Sequence, residues 1–85
     1  MPSASDSSAP TVALDSLRAG ERAVIATVEA EGALAQRLAD LGFLPGTPIS
    51  LLRRAPLGDP ISFWLRGCEL CLRGREARTV RVLRS

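Results

Sequence analysis

The stretch TPISLLRRAPLGDPISFWLRGCELCLR, residues 47–73, decides the fold, because short strand-like segments are separated in it by turn residues, and side chains of two kinds alternate along residues 61–66 and 68–73. Strict alternation places every second side chain on one face, as in a half-buried β-strand. Turn residues interrupt it at Pro56-Leu57-Gly58-Asp59-Pro60 and again at Gly67. We therefore predict three strands, at residues 48–55, 61–66 and 68–73, joined by two turns.

Two further strands are predicted outside this stretch. Residues 22–29, RAVIATVE, are rich in β-branched side chains and are bounded by glycines, and residues 79–83, TVRVL, alternate in the same way. Short 3-10 turns are expected at residues 14–17, where Leu14 and Leu17 sit three apart, and at residues 74–77. The chain thus carries about five short strands.

One amphipathic helix is predicted at residues 33–41, ALAQRLADL. Leu34, Leu38 and Leu41 recur at the spacing of one helical face, and polar residues fill the opposite face. Gly42 suits the left-handed residue that ends a helix, and Pro45 prevents its continuation. The leucine stripe is expected to plug one open end of the sheet.

These elements predict a mainly β fold, a small SH3-like antiparallel barrel with one inserted α-helix and short 3-10 turns. Five short strands are too few for a useful sandwich, whereas a curled sheet hides its edges and buries one face of each strand. An OB-like barrel is the alternative, and the shortness of the strands favours the SH3-like form. The barrel domain is expected at residues 11–85, after a disordered tail at residues 1–10, MPSASDSSAP.

The composition argues against an enzyme. The chain has no His and no Tyr, so the commonest general base and metal ligand is missing and catalysis would rest on scattered carboxylates or two cysteines. The eleven basic residues are all Arg, and the net charge is only +2. The arginines are interspersed with acidic and apolar residues, so they do not form the dense basic stripe that is typical of a nucleic-acid binder. The N-terminus has no basic start and no apolar core, so no signal peptide is predicted and we expect a cytoplasmic protein.

Cys68 and Cys71 form a C-x-x-C motif that lies in a predicted strand. Residues three apart on a strand point to opposite faces, so the two sulfurs would not converge on one metal or readily form a disulfide. No other Cys and no His exist to complete a zinc site. We expect one buried thiol and one outward thiol, and no metal site.

Two loops carry unusual side chains. Residues 41–46, LGFLPG, place two large apolar side chains between glycines, and residues 53–60, RRAPLGDP, follow one strand later. Phe43 and Leu44 have a simple explanation as caps of the barrel, the one we favour for Leu44, and Arg53 and Arg54 as a solvated edge. Alternatively, the two loops together line a shallow groove with apolar and cationic walls, suited to peptide recognition.

At these residues the chain resembles the FeoA family of ferrous-iron transport accessory proteins. The resemblance covers about residues 13–84 and includes the R-L-x-D-L-G-x-x-P-G pattern. The matching segments are LDSLRAGE at 14–21, RLADLGFLPGT at 37–47, RRAPLGDP at 53–60, RGCELCLR at 66–73 and EA at 76–77.

The resemblance implies a cytoplasmic SH3-like barrel, without a cofactor, that partners a membrane ferrous-iron permease carrying a GTP-binding domain. The barrel also resembles the C-terminal module of iron-dependent transcriptional repressors, which is why such proteins often carry a transition-metal-binding label. The chain departs from an easy metal-binding interpretation because it lacks His and has Cys68 and Cys71 where an aromatic and a small residue are common.

Three hypotheses follow. The first is a non-enzymatic adaptor for ferrous-iron uptake that binds the cytosolic part of the permease. The second is a metal-responsive regulatory module, and the third is a C-x-x-C oxidoreductase. The predicted partner-binding residues are Phe43, Pro45, Arg54 and Leu57, with Gly42, Gly46 and Gly58 setting loop geometry.

Overall fold

The computed structural model describes residues 10–85, so the predicted tail at residues 1–10 lies outside it apart from Pro10. In chain order the elements are β1 (Val12–Ala13), a 3-10 turn (Leu14–Ser16), β2 (Arg22–Val28), α1 (Gly32–Leu41), β3 (Pro48–Arg54), β4 (Ile61–Leu65), β5 (Cys68–Leu72), α2 (Gly74–Ala77) and β6 (Val80–Arg84). No helix within this range is long and apolar enough to span a bilayer.

The strands form one antiparallel sheet in the order β1-β6-β2-β3-β4-β5. The five predicted strands are all present within a residue or two of their expected bounds. The sixth, β1, pairs Val12 with Val82 and Ala13 with Arg81. Two residues are too few for alternation to be visible in the sequence, so β1 was not predicted.

The predicted alternation places the core where it was expected. Ile61, Phe63 and Leu65 of β4 are buried, and Trp64 between them is exposed. Irregular register between Ile25 and Thr27 in β2, and between Leu51 and Arg53 in β3, bends the sheet. The apolar faces of all the long strands thereby turn toward one common core.

The barrel is open on one side within the described residues, because the outer strands β1 and β5 pair with β6 and β4 and not with each other. The 3-10 turn and α2 contact one another beside this opening. Leu14 and Ala77, one from each element, are completely buried. The 3-10 turn and α2 therefore cover the core on the side where β1 and β5 do not pair.

Helix α1 confirms the predicted helix but corrects the predicted stripe. Leu38 is buried and Leu34 packs partly against the core, whereas Leu41 is 40% exposed. Gly42 has a left-handed φ of 103° and its N–H donates to Ala39 O. Phe43, which follows the glycine, takes the buried place instead of Leu41.

The segment at residues 74–77 is one turn of α-helix rather than the predicted 3-10 turn. The N–H groups of Ala77 and Arg78 donate to the carbonyls four residues earlier, those of Arg73 and Gly74, at 2.9 Å each. Glu76 accepts a hydrogen bond from the backbone N–H of Arg73 at 3.0 Å. This contact satisfies a donor at the start of the turn, where no intrahelical partner exists.

Candidate partner-binding site

The β3–β4 loop is a short, well-anchored turn that presents one apolar side chain. Gly58 N–H donates to Ala55 O at 2.7 Å, and Ala55 N–H donates to Pro60 O at 3.0 Å. Pro56 at the second position of the first turn is favoured because its fixed φ suits that position. Leu57, at the third position, is 97% exposed.

Asp59 fastens this loop to α2. Its carboxylate accepts from the backbone N–H of Gly74 and lies 3.5 Å from Arg73 Nη1. A charged acceptor on a backbone N–H is among the stronger hydrogen bonds in proteins. The loop that exposes Leu57 is therefore held in place by hydrogen bonds at both of its ends.

Arg54, at the end of β3, has a structural task. Its Nη2 donates to the backbone carbonyls of Asp15 and Leu17, the latter at 2.9 Å. These carbonyls lie in and just after the 3-10 turn, which has few internal hydrogen bonds of its own. Arg54 was predicted to contact a partner, and its guanidinium is already occupied by this chain.

These groups surround an open cleft of about 610 Å³, which we call the arginine cleft. Its charged side chains are those of four arginines and two aspartates. Arg78 Nε lies 3.3 Å from Asp15 Oδ2, which leaves Arg75 as the cleft's guanidinium without an ion pair or hydrogen bond among residues 10–85. The lining residues are Asp15, Arg54, Leu57, Gly58, Asp59, Ile61, Arg73, Gly74, Arg75 and Arg78.

The loop after α1 corrects the predicted role of Phe43. Phe43 N–H donates to Leu38 O at 2.9 Å and Gly42 N–H donates to Ala39 O at 3.0 Å. This pair of bonds is the Schellman motif, in which the residue after the glycine packs back on the helix. Phe43 and Leu38 are accordingly both buried, and the Phe43 side chain is withdrawn from any contact surface.

Leu44 has the environment that the sequence suggested for Phe43. It is 45% exposed rather than capping the barrel, and Pro45 beside it is also exposed. Gly46 N–H donates to Ile25 O at 2.7 Å, with a φ of 88° that favours glycine. Gly42 and Gly46 both have positive φ angles, and Phe43 has the buried position that was expected of Leu44.

The two predicted loops do not form one groove. Gly42, Pro45 and Gly46 precede β3, whereas Leu57 and Gly58 follow it. A seven-residue strand spans about 20 Å, because each residue advances the chain by about 3.3 Å. The predicted binding residues are therefore divided between opposite ends of β3, and only Arg54, Leu57 and Gly58 lie together, at the arginine cleft.

Both cysteines are exposed, which corrects the expected buried thiol. Cys68 begins the edge strand β5, next to the β4–β5 turn, and Cys71 Sγ lies 3.3 Å from Ser62 Oγ. Among residues 10–85 no three His, Cys, Asp or Glu side chains are grouped so that they could hold a metal ion.

Comparison with known proteins decides the family. The model of the FeoA domain matches residues 12–84, which is nearly the whole described chain. The chain belongs to the FeoA family. The resemblance found in the sequence is thereby confirmed.

Solved relatives of this FeoA domain share its fold. The FeoA protein of Chlorobium tepidum is 42% identical, with a TM-score of 0.81 over 86% of this chain and 70% of that one. A Stenotrophomonas maltophilia FeoA, described as a prokaryotic SH3 domain protein and crystallised with zinc, is 32% identical, with a TM-score of 0.73 over 87% of this chain and 89% of that one. The SH3-like fold is confirmed.

One relative and one structure with the same fold complete the comparison. A Porphyromonas gingivalis protein, described as an Fe(2+) transport protein A/Fe(2+) transporter FeoB fusion, is 33% identical over 69 residues, covering 81% of this chain. The match spans only 8% of that protein's length. A manganese-dependent transcriptional repressor has a TM-score of 0.83 at 19% identity, over 93% of this chain and 44% of that one, which shows a shared fold.

The sequence analysis missed most of the arginine cleft of this FeoA domain. Asp15, Arg73, Arg75 and Arg78 come from segments far from the β3–β4 loop and meet it only in three dimensions. The available signal was Asp59, because an Asp beside turn residues often accepts backbone N–H groups. Its partner, Gly74, lies fifteen residues away and could not be identified from spacing.

Proposed function

We propose that this FeoA domain is a non-enzymatic adaptor in ferrous-iron uptake that binds the cytosolic, GTP-binding part of a ferrous-iron permease. The observation that carries the proposal is the Porphyromonas gingivalis relative, in which a segment like this chain is joined to an Fe(2+) transporter in one polypeptide. Two modules joined covalently in one organism commonly act side by side as separate chains in another.

The contact surface is the β3–β4 loop at residues 55–60, which we call the Leu57 loop, together with the rim of the arginine cleft. Interface energy concentrates in a few anchors that become buried on binding, and loss of rotamer freedom opposes it. Leu57 is almost fully exposed on a loop that hydrogen bonds already restrain, so little further ordering is needed. Arg75 adds an available positive charge beside it for a partner carboxylate.

A non-catalytic role agrees with the chemistry of the cleft. Its two carboxylates, Asp15 and Asp59, are each within 3.5 Å of an arginine nitrogen. Each carboxylate is therefore already paired with a guanidinium group of this chain, which leaves neither of them free to act on a bound molecule. With no His or Tyr in the chain, binding is the task that the cleft performs best.

The metal-responsive alternative stays a prediction. The likeness to manganese-dependent repressors, at 19% identity, concerns the fold alone. It is separated from the adaptor role by calorimetric titration of the isolated chain with Mn²⁺ and, without oxygen, with Fe²⁺. Saturable binding of one ion per chain would favour it over the adaptor.

The adaptor proposal is tested with the full chain and the purified GTP-binding domain of a permease from the same organism. Leu57→Ala removes three carbons, worth about 2 kcal/mol if they are buried on binding, so the Kd should rise about 30-fold. Leu44→Ala is the matched control, because Leu44 is also an exposed loop leucine, and it should bind as wild type does.

The two ways of failing are distinct. The GTP-binding domain is added up to about 0.1 mM, about 100 times a micromolar Kd. If the wild-type chain does not bind it at that concentration, the adaptor role is wrong. If wild type binds and Leu57→Ala binds equally well, the role stands and the contact surface is wrong.

A further inference from the structure

A second concave surface lies at the opposite end of β3 from the arginine cleft and shares no lining residue with it. Arg22 of β2 pairs with Ser50 of β3, and Ser50 pairs with Trp64 of β4. Directly paired residues in an antiparallel sheet project from the same face. Arg22 and Trp64 therefore stand about 10 Å apart, two strand spacings, with only the small Ser50 between them.

A second row of residues extends this depression. Val24 pairs with Pro48, and the register that pairs Ile49 with Leu65 brings Arg66 beside Pro48. Ser50 and Pro48 thus form the low floor of a depression of about 530 Å³. We call this surface the Trp64 groove, lined by Arg22, Ala23, Val24, Pro48, Ile49, Ser50, Trp64, Arg66 and Ser85.

The groove combines an exposed indole with two available positive charges. Trp64 is 47% exposed, although it is the largest side chain in the protein. Arg22 and Arg66 form no ion pair among residues 10–85, whereas five other arginines do, and no Asp or Glu side chain lines the groove. Glu69, beyond Trp64 in the same row, is paired with Arg53 at 2.8 Å.

Arg66 is held in place by the fold. It lies in the β4–β5 turn with a φ of 52°, followed by Gly67 at 81°, the pattern of a two-residue hairpin turn that usually begins with Asn or Gly. A Cβ at Gly42 would come within 2.8 Å of Arg66 Cδ, so the stem of the arginine lies across that glycine. Arg66 thus occupies a turn position that favours small residues, and the absence of a side chain at Gly42 leaves room for its aliphatic stem.

We propose that the Trp64 groove binds an extended acidic segment of a partner protein, with one aliphatic side chain of that segment on the indole. Carboxylates before and after the aliphatic residue would pair with Arg22 and Arg66, as guanidinium groups favour. An α-helix with its side chains is about 10–12 Å across, as wide as the whole backbone separation of Arg22 and Trp64, whereas a single extended chain fits between their side chains above Ser50. The proposal is independent of the contact assigned to Leu57.

Two other occupants make different predictions. An anionic membrane would also attract a tryptophan and two arginines, but a flat bilayer surface would leave the floor at Ser50 and Pro48 unfilled. A second copy of this chain would bring its own exposed acids, Glu29 and Glu31 at the far end of β2, which carry no ion pair among the described residues.

The fluorescence of Trp64 tests the proposal directly, because it is the single Trp in a chain without Tyr. The probe is an acetylated, amidated octapeptide in which leucines are separated by pairs of glutamates. Its lysine counterpart is the control peptide. The acidic peptide should move the emission to shorter wavelength in a saturable way, and the lysine peptide should leave it unchanged.

Charge variants then locate the binding. Replacement of both groove arginines, Arg22→Gln with Arg66→Gln, should raise the Kd of the acidic peptide about 3- to 10-fold, since each exposed pair contributes modestly. Arg18→Gln with Arg37→Gln removes the same charge outside both the Trp64 groove and the arginine cleft, and it should change the Kd less than 2-fold. Trp64→Ser, followed by calorimetry and checked for folding by circular dichroism, should abolish measurable binding.

Four results would overturn the proposal. The first is an unchanged Trp64 fluorescence at 1 mM acidic peptide, and the second is an equal rise in the peptide's Kd for the two double variants. The third is a larger fluorescence change with vesicles of phosphatidylglycerol and phosphatidylcholine than with the peptide. The fourth is concentration-dependent dimerisation of the chain that Trp64→Ser removes. The third would assign the groove to a membrane, and the fourth to a second copy of the chain.

Discussion

Arg54 is predicted to stabilise the fold rather than to serve mainly as a contact residue. The test is Arg54→Met, which keeps most of the aliphatic stem and removes the guanidinium. Arg53→Met is the matched control, because the neighbouring Arg53 side chain is 67% exposed and its Nη2 forms a surface ion pair with Glu69 Oε2 at 2.8 Å. The two variants lose the same charge from adjacent positions of one strand.

The magnitude follows from what each guanidinium holds. Arg54 donates to two backbone carbonyls, and the bond to Leu17 O at 2.9 Å is partly buried. A hydrogen bond from a charged donor contributes about 1.5–3 kcal/mol when buried, and partial exposure reduces this. We expect Arg54→Met to lower the free energy of unfolding by about 2 kcal/mol, and Arg53→Met by about 0.5 kcal/mol or less.

Thermal unfolding followed by circular dichroism separates these outcomes. For a domain of this size about 1 kcal/mol corresponds to about 4–8 °C, so Arg54→Met should melt about 8–16 °C below wild type. Arg53→Met should melt within about 4 °C of wild type. Equal melting temperatures for the two variants would refute a stabilising role for Arg54.

Three further predictions concern other parts of the molecule. The backbone N–H of Arg73, and then the Arg37 side chain, hold the pKa of Glu76 below its ordinary value. The unfolded state therefore binds more protons between about pH 5 and 3, and the free energy of unfolding falls as the pH drops through that range. Glu76→Gln should make the urea midpoint depend less on pH there, and an unchanged pH dependence would contradict this. Phe43→Ala should cost about 3–5 kcal/mol of stability in chemical denaturation, and a cost below 1 kcal/mol would show that Phe43 is not a core residue. After mild oxidation, the mass of the monomer should show no loss of two hydrogens, because Cys68 and Cys71 lie about 10 Å apart along one strand, beyond the reach of a disulfide.

Much of the sheet could be predicted from sequence because side-chain alternation is a direct record of burial. Ile61, Phe63 and Leu65 are buried where the alternation placed them, and Trp64 faces outward. The end of α1 was equally visible, since Gly42 adopts the left-handed conformation for which glycine has no steric penalty.

The rest depended on contacts between distant segments. The sequence does not show which of Phe43 and Leu44 turns inward, because that choice comes from the hydrogen bond of Phe43 N–H to Leu38 O. The arginine cleft and the Trp64 groove likewise each combine side chains from several elements. Their residues are ordinary in sequence and become a surface only through strand register and loop anchoring.

The docking face is measured most directly by NMR. Amide signals of the ¹⁵N-labelled chain are followed while the unlabelled GTP-binding domain of the permease is added. The adaptor account predicts that the signals of residues 55–59 and 73–75, around the Leu57 loop, shift or broaden first. Perturbation confined to residues 44–47 and the exposed face of α1, with the Leu57 loop unchanged, would contradict it.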